Sequence, residues 1–207
     1  MKIMKRLLIL VIIFLSICKV RAQQPVIFSV QGDGDDWQLY MSSKLMVDLN
    51  SGGKLVFITL TAGDEGNGNT AFNGSATPYY LAREKGGVYS AKFANDIVQG
   101  SGTPSLLPAA QTVTVNGHGL VKYVYKNTVS YFLRLPDGNS DGSGFSATGN
   151  VSLKKLKDAT IGSLTSVDGN NTYSGWADLT STIEAIINAE KGSNNQVWLN
   201  YSRLCNN

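Results

Sequence analysis

Apolar runs and apolar stripes alternate along this chain, and they set out its elements. Val26-Ile27-Phe28-Ser29-Val30 is nearly continuous, β-branched and aromatic, the pattern of a strand buried on both faces. Glycines and three aspartates then break the run. Leu39, Met41, Leu45, Met46 and Leu49 recur at threes and fours, which predicts an amphipathic helix over residues 38–50, stopped by Gly52-Gly53. Lys54-Leu55-Val56-Phe57-Ile58-Thr59-Leu60 is a second buried strand. Strand, helix, strand is a βαβ unit, so the two strands are predicted to run parallel through a right-handed crossover.

Residues 61–77 are a polar, glycine-rich loop carrying Asp64 and Glu65. Pro78 opens another helix, through Tyr80, Leu81, Val88 and Phe93. Strand-like runs follow at residues 111–115, 121–126 and 129–135, with Asn116-Gly117 and Lys126-Asn127 marking the turns. Residues 136–149 form a long loop rich in Gly, Ser and Asp. Leu179, Ile183, Ile186 and Ile187 form the buried stripe of a helix over 176–191, and residues 196–201 read as a last strand. There is no internal repeat and no linker. The pattern predicts one α/β domain: a Rossmann-like, mainly parallel sheet flanked by helices, with a β-rich insertion at about 111–135.

Composition changes this picture at the amino end. Lys2, Lys5 and Arg6 precede an apolar stretch at 7–17 that is short for a membrane span. Val20-Arg21-Ala22 ends it, so a signal peptide of residues 1–22 is expected, with cleavage after Ala22, a secreted or periplasmic location and no membrane span in the mature protein. Cleavage removes five of the 18 basic residues (Lys2, Lys5, Arg6, Lys19, Arg21) and no acid, leaving 13 against 15 acidic residues, a net charge of −2. That balance gives no case for nucleic acid as a partner. Cys18 leaves with the segment and Cys205 remains alone, so no disulfide framework is expected.

The chemistry points to the break after the first strand. Asp33, Asp35 and Asp36 fall within four positions beyond a strand end, where open α/β sheets place their sites. Such carboxylates repel one another unless a cation or protons offset the charge. A metal ion is one partner, and Ca²⁺ or Mg²⁺ on Asp33, Asp35, Asp36 and Asp64 is one form of it. An exposed, solvated acidic turn is the alternative.

The acidic turn, Thr59-Leu60-Thr61-Ala62-Gly63-Asp64-Glu65-Gly66 after the second strand, and Tyr79-Tyr80-Leu81-Ala82-Arg83-Glu84 together resemble the PIG-L/LmbE family of zinc-dependent N-acetylglucosaminyl deacetylases. Tyr131-Phe132-Leu133-Arg134-Leu135-Pro136-Asp137-Gly138 is similar to secreted members. The resemblance spans about residues 26–201. It implies a Rossmann-like fold, Zn²⁺ as cofactor, and a substrate or glycan bearing an N-acetyl group. The family's first motif, His-Pro-Asp-Asp, supplies a zinc-binding His, a general-base Asp and a zinc-binding Asp. Carried over, Asp35 is the base and Asp36 a zinc ligand, with Asp33 standing where the family has its His. Asp64, Arg83 and Arg134 are the implied substrate contacts. The family's late His motif has no counterpart after residues 196–201, which makes the domain at 23–207 look incomplete at its carboxyl end and the metal site degraded. A non-catalytic remnant or carbohydrate-binding protein of the same fold is the competing reading.

Other candidates are weaker. The one histidine, His118, lies in a turn outside the family's ligand positions. Gly138-Asn139-Ser140-Asp141-Gly142 matches the nucleophile-elbow pattern, but no helix follows it. Trp37 and Trp176 read as core rather than sugar platforms. Arg134 has an ion pair with Asp137 as its structural alternative.

Overall fold

The computed structural model describes residues 23–100 and 106–201. The expected signal peptide at 1–22 lies outside the described residues. Among those residues, no helix is long and apolar enough to cross a membrane.

Six strands form one sheet. In chain order these are β1 (Val26–Gln31), β2 (Lys54–Thr61), β3 (Gln111–Val115), β4 (His118–Tyr125), β5 (Thr128–Leu135) and, after a two-stranded hairpin, β8 (Val197–Tyr201). Their spatial order is β3-β4-β5-β2-β1-β8. β5, β2, β1 and β8 are mutually parallel, and β3 and β4 pair antiparallel beyond β5. The sequence expectation of a parallel β1–β2 pair is met, as is a mainly parallel α/β sheet flanked by helices. The β-rich segment is not a separate insertion. β4 pairs with β5, so the hairpin prolongs the same sheet.

Helices cover the sheet on both faces. One turn of π-helix, Trp37–Met41, leads into α1 (Ser42–Asn50); α2 is Tyr79–Gln99, α3 Leu153–Lys157 and α4 Trp176–Lys191. Side chains alternate along β1, so Ile27 joins one core and Phe28 the other. Ile27, Leu55 and Phe57 pack under α1 and α2 with Trp37, Leu45, Leu49 and Ala91. Phe28, Val56 and Ile58 pack under α4 with Leu179 and Ile186. Trp37 is 5% exposed, with its ring 5.3 Å from Phe57 and its Nε1 donating to Ser90 Oγ at 3.2 Å. It is a core residue, as its sequence context suggested.

The segment between β5 and α4 carries elements the periodicity did not show: α3 and a hairpin of β6 (Leu164–Thr165) and β7 (Thr172–Tyr173). Two-residue strands are too short for an alternation to register. Their buried residues, Leu164 and Tyr173, close the α4 side of the core.

Candidate functional site

The carboxyl ends of β1, β2 and β5 share one edge of the sheet, and the three loops leaving them meet there. The turn after β1 folds on itself. Asp36 Oδ2 accepts from the backbone N–H of Gly32 at 2.9 Å and of Asp33 at 3.2 Å. That carboxylate therefore fixes the turn. Asp33 faces the next strand, where its Oδ1 accepts from the Thr61 hydroxyl. Burial pushes the Asp33 carboxyl above its ordinary value; Thr61 and Arg83 act against the rise, and the charges of Asp137 and Asp36 add to it.

The loop after β2 is organised by Asp64. It is wholly buried, and accepts from Gly68 N at 2.8 Å and Asp137 N at 3.0 Å. Glu65 N in turn donates to Asp137 at 3.3 Å. These bonds lock the β2 and β5 loops together. The structure thus gives Asp64 a loop-building position with its oxygens engaged, in place of the expected open substrate contact.

Arg83, on the first turns of α2, reaches back to the acidic turn. Its Nη2 stands 3.5 Å from Asp35 Oδ1 and 3.9 Å from Asp33 Oδ2. The cation that the aspartate cluster demands is supplied, at least in part, by this guanidinium. Gly63 makes the approach possible: a Cβ there would lie 3.0 Å from Arg83 Nη2 and 3.2 Å from Asp33 Cγ, and its φ is +55°. Gly63→Ala is expected to cost about 1 kcal/mol from the left-handed backbone alone and to push Arg83 off the carboxylates. A denaturant melt checks the first effect, and loss of ligand affinity in calorimetry checks the second.

Arg134 is placed differently. It lies at the end of β5, in a stretch where the register against β2 shifts between Thr59 and Thr61, and its φ is +56°. The guanidinium forks onto Glu84, with Nε to Oε2 at 2.6 Å and Nη2 to Oε1 at 2.9 Å, and Nη1 reaches Asp168 Oδ2 at 2.7 Å. Its partners are these two and not Asp137. Tyr80 lies over the guanidinium at 5.1 Å. The crevice that Arg134 and Glu84 line has room for no more than about one water. Arg134 is a buried clamp between β5, α2 and the β6–β7 hairpin. Sequence reasoning named this arginine but missed the pairing with both acids, which lie far from it in the chain: Glu84 entered only as the last residue of the Tyr79–Glu84 stretch, and Asp168 lies outside any motif.

Asp35 is the carboxylate that stays open, with a side chain 44% exposed. It looks into a cleft of about 330 Å³ between the acidic turn and α2. Gln38, Phe72, Tyr79 and Arg83 line the same cleft, with Gly34, Gly86 and Gly87 keeping its wall low. Phe72 and Tyr79 form a tilted aromatic pair, centroids 5.4 Å apart. Neither was named as a site residue from the sequence: Tyr79 entered only as the first residue of the Tyr79–Glu84 stretch, and Phe72 had no signal beyond its place in the loop leaving β2.

Among the described residues, no group of three or more His, Cys, Asp and Glu side chains could hold a metal ion together. Asp33 and Asp36 are two carboxylates, already bonded to Thr61 and to the turn backbone, against the three protein ligands usual for catalytic zinc. By themselves these two carboxylates fall one ligand short of that set. His118 stands at the β3–β4 turn, with Nε2 3.0 Å from Asp178 and its ring stacked on Tyr173, apart from the acidic turn. Ser140, in the Gly138–Gly142 pattern, sits in a loop. No protein-family model, no curated protein and no solved structure matches the chain.

Proposed function

We propose that the chain is an exported protein of the PIG-L/LmbE type whose cleft binds an N-acetylated sugar, with acetamide hydrolysis weak or lost. The observation that carries this reading is the lining of the cleft: one open carboxylate (Asp35), one guanidinium (Arg83), one amide (Gln38) and an aromatic pair (Phe72, Tyr79) around a volume in the range of a small-ligand site. Carboxylate and guanidinium accept from and donate to sugar hydroxyls, and aromatic faces cover the apolar side of a pyranose ring. The weakness of hydrolysis follows from the donor set. Asp35 is placed to take a proton from a water molecule, but Arg83 competes for its oxygen, and Asp33 and Asp36 alone hold Zn²⁺ poorly. The same-fold deacetylase with a working zinc site is the second reading, favoured by the order of the family's motifs along the chain.

Calorimetry with N-acetylglucosamine and chitobiose, together with acetate release with added Zn²⁺, tests this. Binding should appear and fall at least tenfold in Tyr79→Ala and Arg83→Ala. Acetate release should stay near background in the wild type and in Asp35→Asn alike, and Zn²⁺ should bind weakly. Robust turnover that Asp35→Asn abolishes would replace this reading with the active deacetylase. No binding by either sugar would remove the carbohydrate reading altogether.

A further inference from the structure

The cleft beside the acidic turn carries more negative charge than its cation offsets. Among the described residues Arg83 is the one cation that lines it. Its Nη2 stands 3.5 Å from Asp35 and 3.9 Å from Asp33, so two carboxylates share one guanidinium. Asp36, which accepts from the N–H groups of Gly32 and Asp33, brings a third carboxylate into the same turn. Even with Asp33 neutral, the form that its burial favours, Asp35 and Asp36 outnumber Arg83. A neutral sugar leaves that excess unmet, and a ligand with one positive charge offsets it.

Two further features of the lining narrow the kind of cation. Phe72 and Tyr79, tilted by 59° with centroids 5.4 Å apart, border the cleft together with Asp35. Aromatic faces attract an organic ammonium through the ring quadrupole, and a carboxylate beside them adds a charged acceptor. Gln38 supplies an amide that both donates and accepts, which suits hydroxyl groups rather than a second charge. An ammonium with hydroxyl groups around it therefore satisfies the whole lining. The acetamide of an N-acetylated sugar offers Asp35 one neutral N–H, where an ammonium offers three charged donors.

We propose that the cleft prefers a sugar with a free, protonated amino group over the N-acetylated form, with the ammonium on Asp35 beside the Phe72–Tyr79 pair and the ring hydroxyls on Gln38 and Arg83. The inference rests on the carbohydrate reading of this cleft and adds the charge of the ligand. It gives the chain a role that requires no hydrolysis: retention of amino sugars after another enzyme has removed the acetyl group.

The test is a ratio of affinities, measured by calorimetry at about pH 6, where an aliphatic amine is protonated. Glucosamine should bind at least tenfold more tightly than N-acetylglucosamine at low salt. The ratio should narrow in about 0.5 M NaCl, because exposed ion pairs are screened. In Asp35→Asn, which keeps the shape and removes the charge, it should fall to about one. Ethanolamine, an ammonium without a ring, should bind at least tenfold more weakly than glucosamine. Equal affinity for the two sugars, or a ratio unchanged in Asp35→Asn, would overturn the proposal and leave the carbohydrate reading standing. Ethanolamine binding as tightly as glucosamine overturns it as well, since the cleft would then take any ammonium. No binding by either sugar removes this inference and the carbohydrate reading together. If Asp35→Asn does not fold, Tyr79→Leu decides the matter. It keeps an apolar wall without the aromatic face, so the ratio should drop at least threefold, and an unchanged ratio overturns the proposal.

Discussion

Arg134→Ala is expected to lower stability by about 3–5 kcal/mol, the range for removing one partner of a buried charge pair. Glu84 is almost fully buried and takes both arms of the guanidinium fork, while Tyr123 donates to the same carboxylate at 2.7 Å. Asp168, also buried, takes the third guanidinium bond. Burial works against the charge of Arg134, yet the two carboxylates hold it more firmly protonated than usual. Truncation would leave Glu84 and Asp168 desolvated with no cation. The same arginine carries a left-handed backbone at φ +56°, which costs about 1–2 kcal/mol and persists only while the network holds it. For a domain of this size the melting temperature should drop by about 10 °C. A denaturant melt of Arg134→Ala reads the loss directly. The double variant Arg134→Met, Glu84→Gln should lose less than the two single changes together, because it removes one of the two orphaned charges along with the cation and leaves only Asp168. A single variant within about 1 kcal/mol of wild type would show that the network carries little of the stability.

What the sequence made legible follows the range of each interaction. β1 and β2 were readable because a parallel strand covered on both faces must be apolar at successive positions, and Ile27, Phe28, Val56 and Ile58 are all buried. α4 was readable from its stripe, since Leu179 and Ile186 lie at helical spacing and face one core. Local periodicity reports burial, however, and not the neighbour that causes it. β8 reads as an inner strand and is one by composition, but its place at the sheet edge comes from pairing with β1, 171 positions earlier at Val26↔Val197. The site divides in the same way. That the turn after β1 lies beside the loop after β2 was legible through the βαβ unit; that Arg83 pairs with Asp33 and Asp35 was not. Which aspartate fixes the turn, which one is buried under Thr61 and which one opens to the cleft was not, because backbone hydrogen bonds decide it. Asp36 is spent on the N–H groups of its own turn, a local geometry that Asp35, one residue away, cannot share.

Glu190 illustrates the same limit and carries the second large effect. It sits near the carboxyl end of α4 with a side chain 7% exposed. Its Oε1 accepts from Tyr131 and Lys122, both at 2.6 Å, and its Oε2 from Lys54 at 2.5 Å. One carboxylate therefore ties the helix to β5, β4 and β2. Burial raises its pKa, but the bonds from Lys122, Lys54 and Tyr131 outweigh it and bring the value down from 4.5 to about 2. A depressed carboxylate contributes stability that is present above its unfolded pKa and is lost as pH falls through the folded one. The window is therefore pH 4.5 down to about 2, and the shift corresponds to about 3 kcal/mol. Glu190→Gln should be destabilised by about 2–3 kcal/mol at neutral pH, since an amide cannot offset two ammonium groups. The difference between wild type and variant should shrink below pH 4.5 and vanish near pH 2. Taking the difference cancels the other acids that titrate over the same range. Urea melts of both proteins at several pH values across this window measure it. A gap between the two proteins that stays constant down to pH 2 would mean that the clamp acts through shape and not charge, and the linkage argument would fail.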